Sequence, residues 1–142
     1  MRGFPKEEFI NRVAKLRQLM EKNQVDAIII TSPSNFRYFT GLDSYFWESP
    51  TRPWFVLIPL LKDPIAIVPS IGLSSLEKTW IDNIVTWDSP NPEDEGISAV
   101  LNAIHSLKIQ KGNIGFELGK ESFLRMKIND FRKLENHLQN FS

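Results

Sequence analysis

The sequence predicts an α/β fold built on a mixed, mainly parallel sheet with helices on both faces. Three observations predict it. Short apolar runs alternate along the chain with stretches whose apolar residues recur every three or four positions. The run DAIIIT is apolar almost throughout, as a strand covered on both faces reads. WFVLIPL and IAIV are separated only by LKDP, so one antiparallel hairpin interrupts the alternation.

From Glu7 to Lys22, Phe9, Val13, Leu16 and Met20 make the stripe of an amphipathic helix, with Ile10 and Leu19 beside them. Pro5 suits its first turn, and Asn23, which tolerates a left-handed conformation, suits its end. DAIIIT is then a central strand. In SPSNFRYFTG the Ser and Asn side chains are expected to cap a turn or two of helix that Gly41 ends. Pro59 places WFVLIPL near an edge or a bulge. Ser74 and Glu77 stand at capping-box spacing for a short helix, and IVTW reads as a strand. Glu93, Asp94 and Glu95 form a solvated acidic opening for a helix whose stripe is Ile97, Val100, Leu101, Ile104 and Leu107. After Gly112 the strand IGFE leads into helical periodicity through Leu124, Ile128, Phe131, Leu134 and Leu138, with a break near Asn129; Phe141 opens a further strand. No repeat or linker divides residues 1–142, so one domain is expected.

Composition narrows the function. Seventeen basic and seventeen acidic residues cancel, so no global field draws the chain to nucleic acid or to an anionic membrane. The absence of cysteine removes disulfides, thiolate metal sites and a cysteine nucleophile. With no long apolar span and no apolar leader in MRGFPKEEF, a cytoplasmic location is expected. His105 and His137 have no second ligand at metal spacing, no G-x-S-x-G turn is present, and the glycines of GNIGFELG flank a strand instead of opening a helix. No catalytic residue and no metal site is therefore assigned to this chain.

What remains is residues 32–54, SPSNFRYFTGLDSYFWESPTRPW, which hold seven of the sixteen aromatic residues. Phe36, Tyr38 and Phe39, on a helical turn, are expected to be buried. Tyr45, Phe46 and Trp47 are consecutive and cannot all face one core, so part of this loop is expected to be an interface, together with Trp54. Arg52, stiffened by Pro50 and Pro53, has two readings: a fork for a carboxylate, or a structural partner of Asp43 or Glu48.

The amphipathic helix, VDAIIITSPSNFRYFTG, the aromatic loop, the hairpin ending IAIVPS and the later IGFE together resemble the N-terminal domain of the creatinase, prolidase and aminopeptidase P family. The resemblance covers nearly the whole chain. It implies a ribonuclease-H-like strand arrangement and, in a longer protein, a C-terminal pita-bread domain binding two divalent metal ions (Mn, Zn or Co). No cofactor is implied for these 142 residues. The activity implied for the whole protein is that of an Xaa-Pro aminopeptidase, a prolidase or a related C–N hydrolase acting on a peptide or small amide. This domain would serve homo-oligomer contacts, with Trp47 and Arg52 reaching a substrate in a neighbouring subunit. Two other functions compete: a stand-alone protein- or peptide-binding module, and a nuclease, which would need Asp26, Asp43 and Glu117 to converge on a metal.

Overall fold

A computed structural model describes residues 3–44, 52–109 and 112–139. Its first helix, α1 (Lys6–Lys22), starts behind Pro5 and buries Phe9, Val13 and Met20 along the expected stripe. Asn23 ends it, with its side-chain amide donating to the Leu19 carbonyl at 2.8 Å. The left-handed residue is the next one, Gln24, at φ 55°. Strand β1 (Ala27–Ile30) follows, then α2 (Pro33–Thr40), closed by Gly41 at φ 76°. A Cβ at Gly41 would stand 2.7 Å from the Phe9 ring, so both backbone angle and space require glycine there.

Strands β2 (Phe55–Pro59) and β3 (Ile65–Pro69) form the expected hairpin. A 3-10 turn (Ser70–Gly72) runs into α3 (Leu73–Leu76), and β4 (Asn83–Trp87), α4 (Ile97–Ser106), β5 (Ile114–Phe116) and α5 (Ile128–Gln139) complete the order. The described strands lie as β4-β3-β2-β1-β5. Two pairings are parallel, β3 with β4 and β1 with β5, and two are antiparallel, β1 with β2 and β2 with β3. The sheet is mixed as expected, but parallel pairs do not predominate, because the hairpin occupies its middle.

Alternation along the strands divides the core into two layers. Ala27, Ile29, Phe55, Leu57 and Ile67 face α4 and α5, whereas Ile30, Val56, Ile58, Ala66 and Val68 face α1, α2 and α3. The helices therefore cover both faces. Burying five core side chains per face at about 25 cal/mol per Å² is the main favourable term that orders the strands.

Several local expectations need correction. Pro59 does not mark an edge: β2 is the middle strand, and Pro59 is its last residue, opposite Ala27. Ser74 lies inside α3, which begins after the 3-10 turn with no side-chain cap, so no capping box forms. Gly96 at φ 90° precedes α4, and Glu95 is buried instead of solvated, with its Oε2 lacking a hydrogen-bond partner. Leu124 is not helical. The stretch from Glu117 to Lys127 turns twice, with Ser122 N–H donating to the Gly119 carbonyl and Glu121 at φ 60°, before α5 starts. Tyr38 is exposed, unlike Phe36 and Phe39, because it lies across the helix from them. Its ring faces the Arg12 guanidinium at 4.3 Å instead. The expected strand at Phe141 lies outside the described residues, and none of the described helices is long and apolar enough to cross a membrane.

Candidate functional site at the ends of two parallel strands

Register brings four chain segments to one end of the sheet. Ile29 pairs with Phe116 and Ile30 with Val56, so Thr31 just after β1, Ser32 at the start of α2, Glu117 just after β5 and residues 52–54 just before β2 all lie at the C-terminal end of β1. In open α/β sheets, this end of parallel strands is where binding groups gather. Here the polar groups are unusually buried: Thr31, Ser32 and Arg125 are nearly inaccessible.

Glu117 is the hub. Its Oε2 accepts the Thr31 N–H at 2.7 Å, the Ser32 N–H at 2.8 Å and the Thr31 hydroxyl at 3.2 Å. Its Oε1 accepts the Ser32 hydroxyl and, at 2.7 Å, the Asn35 side-chain amide. Ser32 is the N-cap residue of α2, yet its hydroxyl does not cap the helix, and neither does Asn35. Both turn to Glu117, whose charge sits beside the positive end of that helix. Burial alone would raise the Glu117 pKa; the hydrogen bonds from Ser32, Asn35 and Thr31 outweigh it and hold the carboxyl below the usual value of 4.5.

Two further bonds extend the cluster. The Arg125 N–H donates to Thr31 Oγ1 at 2.9 Å, and Arg125 Nη1 donates to the Arg52 carbonyl at 3.2 Å. Burial depresses the Arg125 pKa. The Arg52 side chain is exposed. Its suggested ion-pair partner Asp43 is engaged with Arg37, and Glu48 lies outside the described residues, as do Tyr45, Phe46 and Trp47.

Trp54 is not at the surface. It is 2% exposed, with its ring edge-on to Phe36 at 6.2 Å and close against Gly72, so it belongs to the core of the α1–α3 face and not to an interface. Leu118 and Phe123, in the connection that follows Glu117, are exposed, as is Ile128 at the start of α5.

Chemically, this arrangement holds a shape. An ionised carboxylate taking five hydrogen bonds is a weak base and has little lone-pair capacity left for a metal. Asp26, Asp43 and Glu117 do not converge. Asp26 precedes β1 and accepts the Asn113 N–H at 2.8 Å. The four-residue β1 separates it from Glu117 by roughly 13 Å, at about 3.3 Å per residue. Among the described residues, no group of three or more His, Cys, Asp and Glu side chains could hold a metal ion, which removes the basis of the nuclease reading there. His105 and His137 are both exposed, and His137 Nδ1 lies 2.8 Å from the Lys133 carbonyl. Sequence reasoning missed the clamp, although SPSN and IGFE both stood out. The Ser and Asn side chains of SPSN read locally as helix caps and Glu117 as an isolated acid, and nothing within a few positions of either pairs them.

A family model described as the Creatinase/Prolidase N-terminal domain matches residues 12–141. Among solved structures, a recombinant prolidase from Thermococcus sibiricus superposes with a TM-score of 0.73 and 16% identity, over 96% of this chain and 34% of that one. The N-terminal domain of an Xaa-Pro dipeptidase from Lactobacillus brevis gives 0.70 and 13%, over 88% and 86%. A proline dipeptidase structure from Streptococcus agalactiae 2603V gives 0.68 and 15%, over 89% and 86%. At these identities the likeness is one of fold. The chain thus spans about a third of the Thermococcus chain and most of the other two. No curated protein matches it.

Proposed function

The chain belongs to the creatinase/prolidase N-terminal domain family, and from that premise we propose that it is the non-catalytic N-terminal domain of a metal-dependent hydrolase. The whole protein would cleave Xaa-Pro peptides or a related C–N bond. The observation that carries this reading is the family match across residues 12–141.

In this proposal the two divalent ions (Mn, Zn or Co) belong to a C-terminal catalytic domain of the whole protein, and this chain carries no catalytic step. In this reading the domain contributes oligomer contacts, and Arg52 reaches a substrate carboxylate in a neighbouring subunit's active site. Support comes from the exposed guanidinium of Arg52 at the end of the sheet where the polar groups gather. Leu118, Phe123 and Ile128, exposed along the stretch that carries Glu117 and Arg125, give a neighbour apolar surface to cover.

Arg52→Ala in the full-length enzyme is expected to raise KM about tenfold to a hundredfold, the loss of one charge-assisted contact. An unchanged KM in a folded variant sinks the substrate-contact role of Arg52.

A further inference from the structure

We propose that Arg125 is a positioning residue for Arg52, and that Glu117 sets Arg125 in turn through Thr31. Its functional meaning rests on the reading of Arg52 given above; its geometry stands separately.

Arg52 presents an exposed side chain, so its direction depends chiefly on where its backbone is held. Downstream it is held by Pro53 and Trp54, both buried, and the following proline restricts Arg52 to extended backbone. Its carbonyl is held by Arg125 Nη1, from a residue 73 positions away. Arg125 is only 8% exposed although it lies in the turning, non-helical stretch between β5 and α5. No helix ladder sets its place there. Its N–H donates to Thr31 Oγ1, and Thr31 is fixed in both its N–H and its hydroxyl by Glu117 Oε2. The sequence of contacts is therefore Glu117 to Thr31 to Arg125 to Arg52, without a direct Glu117–Arg52 bond.

Burying a guanidinium costs more than burying a neutral side chain, so a neutral hydrogen-bond donor would serve a purely structural tie at lower cost. A planar group with five donors can grip a carbonyl and keep its other N–H groups engaged, which a lysine ammonium on a flexible stem does poorly. That difference makes the assignment testable by conservative replacement.

The test is backbone nitrogen-15 relaxation on the chain and on its Arg125→Met, Arg125→Lys and Glu117→Gln variants. The Arg52 amide is expected to be rigid in the unmodified protein, with an order parameter of about 0.85, and to fall to about 0.6 or below in Arg125→Met. Arg125→Lys should recover part of the loss, and Glu117→Gln should reproduce it at Arg52 without touching that residue. Val56 and Leu134 should stay unchanged throughout. The proposal is overturned if Arg52 is already mobile in the unmodified protein, if it stays rigid in the Arg125 variants, or if order is lost uniformly. Should Arg125→Met fail to fold, Arg125→Lys alone decides, with an unchanged Arg52 counting against it. A Glu117→Gln effect confined to residues 31–35 overturns the role of Glu117. A rigid Arg52 in these variants combined with a raised KM in Arg52→Ala overturns the positioning and spares the substrate reading; the converse pair does the reverse.

Discussion

The seam between β1 and β5 is tied by a carboxylate at each end, and the two ties differ. At the N-terminal end, Asp26 accepts one N–H, from Asn113, and the remaining bonds of its residue are backbone rungs: its N–H to the Asn113 carbonyl, and Leu60 N–H to its own carbonyl. At the C-terminal end, Glu117 takes five bonds from three residues, two of them nearly inaccessible. One end joins strands. The other joins β1, the start of α2 and the β5–α5 connection and, through Arg125, the chain entering β2, and it is the end that carries Arg52. A tie that gathers four segments fixes their relative placement, which a site of presented side chains requires.

The largest expected effect separates the two ends by substitution. Glu117→Ala should cost about 2 to 3 kcal/mol in denaturant unfolding, because it leaves the buried Thr31 and Ser32 donors unpaired. A loss no larger than that of Asp26→Ala would break the comparison.

The next effect is one of pH. The folded-state pKa of Glu117 lies below its ordinary 4.5. Its contribution is therefore fully present above the unfolded value and is lost as pH falls through the folded one. Unfolding midpoints measured from pH 6 down to pH 2.5 should fall less steeply in Glu117→Gln than in the unmodified protein. Equal slopes would mean that other carboxylates carry the acid sensitivity.

The smallest effect sharpens the contrast. Asp26→Ala should cost about 1 kcal/mol, since water can replace the single bond to the Asn113 N–H at a partly exposed site. Measured by the same unfolding curves, a cost approaching that of Glu117→Ala would show that the N-terminal tie is equally specified.

Much of the fold was legible because it is written in short-range pattern. The helical stripe from Phe9 to Met20, the apolar run of β1, the LKDP hairpin and the left-handed Gly41 each depend on residues within a few positions of one another. Where local reasoning failed, a distant partner had intervened. Ser32 and Asn35 have the chemistry of helix caps, yet a carboxylate 85 and 82 residues away, respectively, takes their donors. Trp54, two positions after an exposed arginine, is drawn into the core by Phe36 and the bare backbone of Gly72. Glu95 sits in an acidic run that reads as solvated, and packing buries it.

The sequence by itself therefore determined the elements, their order, the two-sided cover of the sheet and the family. Only the tertiary structure decided that β5 lies beside β1, and with it that Glu117 meets Thr31, Ser32 and Asn35 and that Arg125 reaches Arg52. The reason is physical. Secondary structure follows the periodicity of neighbours along the chain, whereas the partners of a buried polar group follow from which strands become adjacent. That choice is set by packing both apolar faces at once against the entropy of closing long loops.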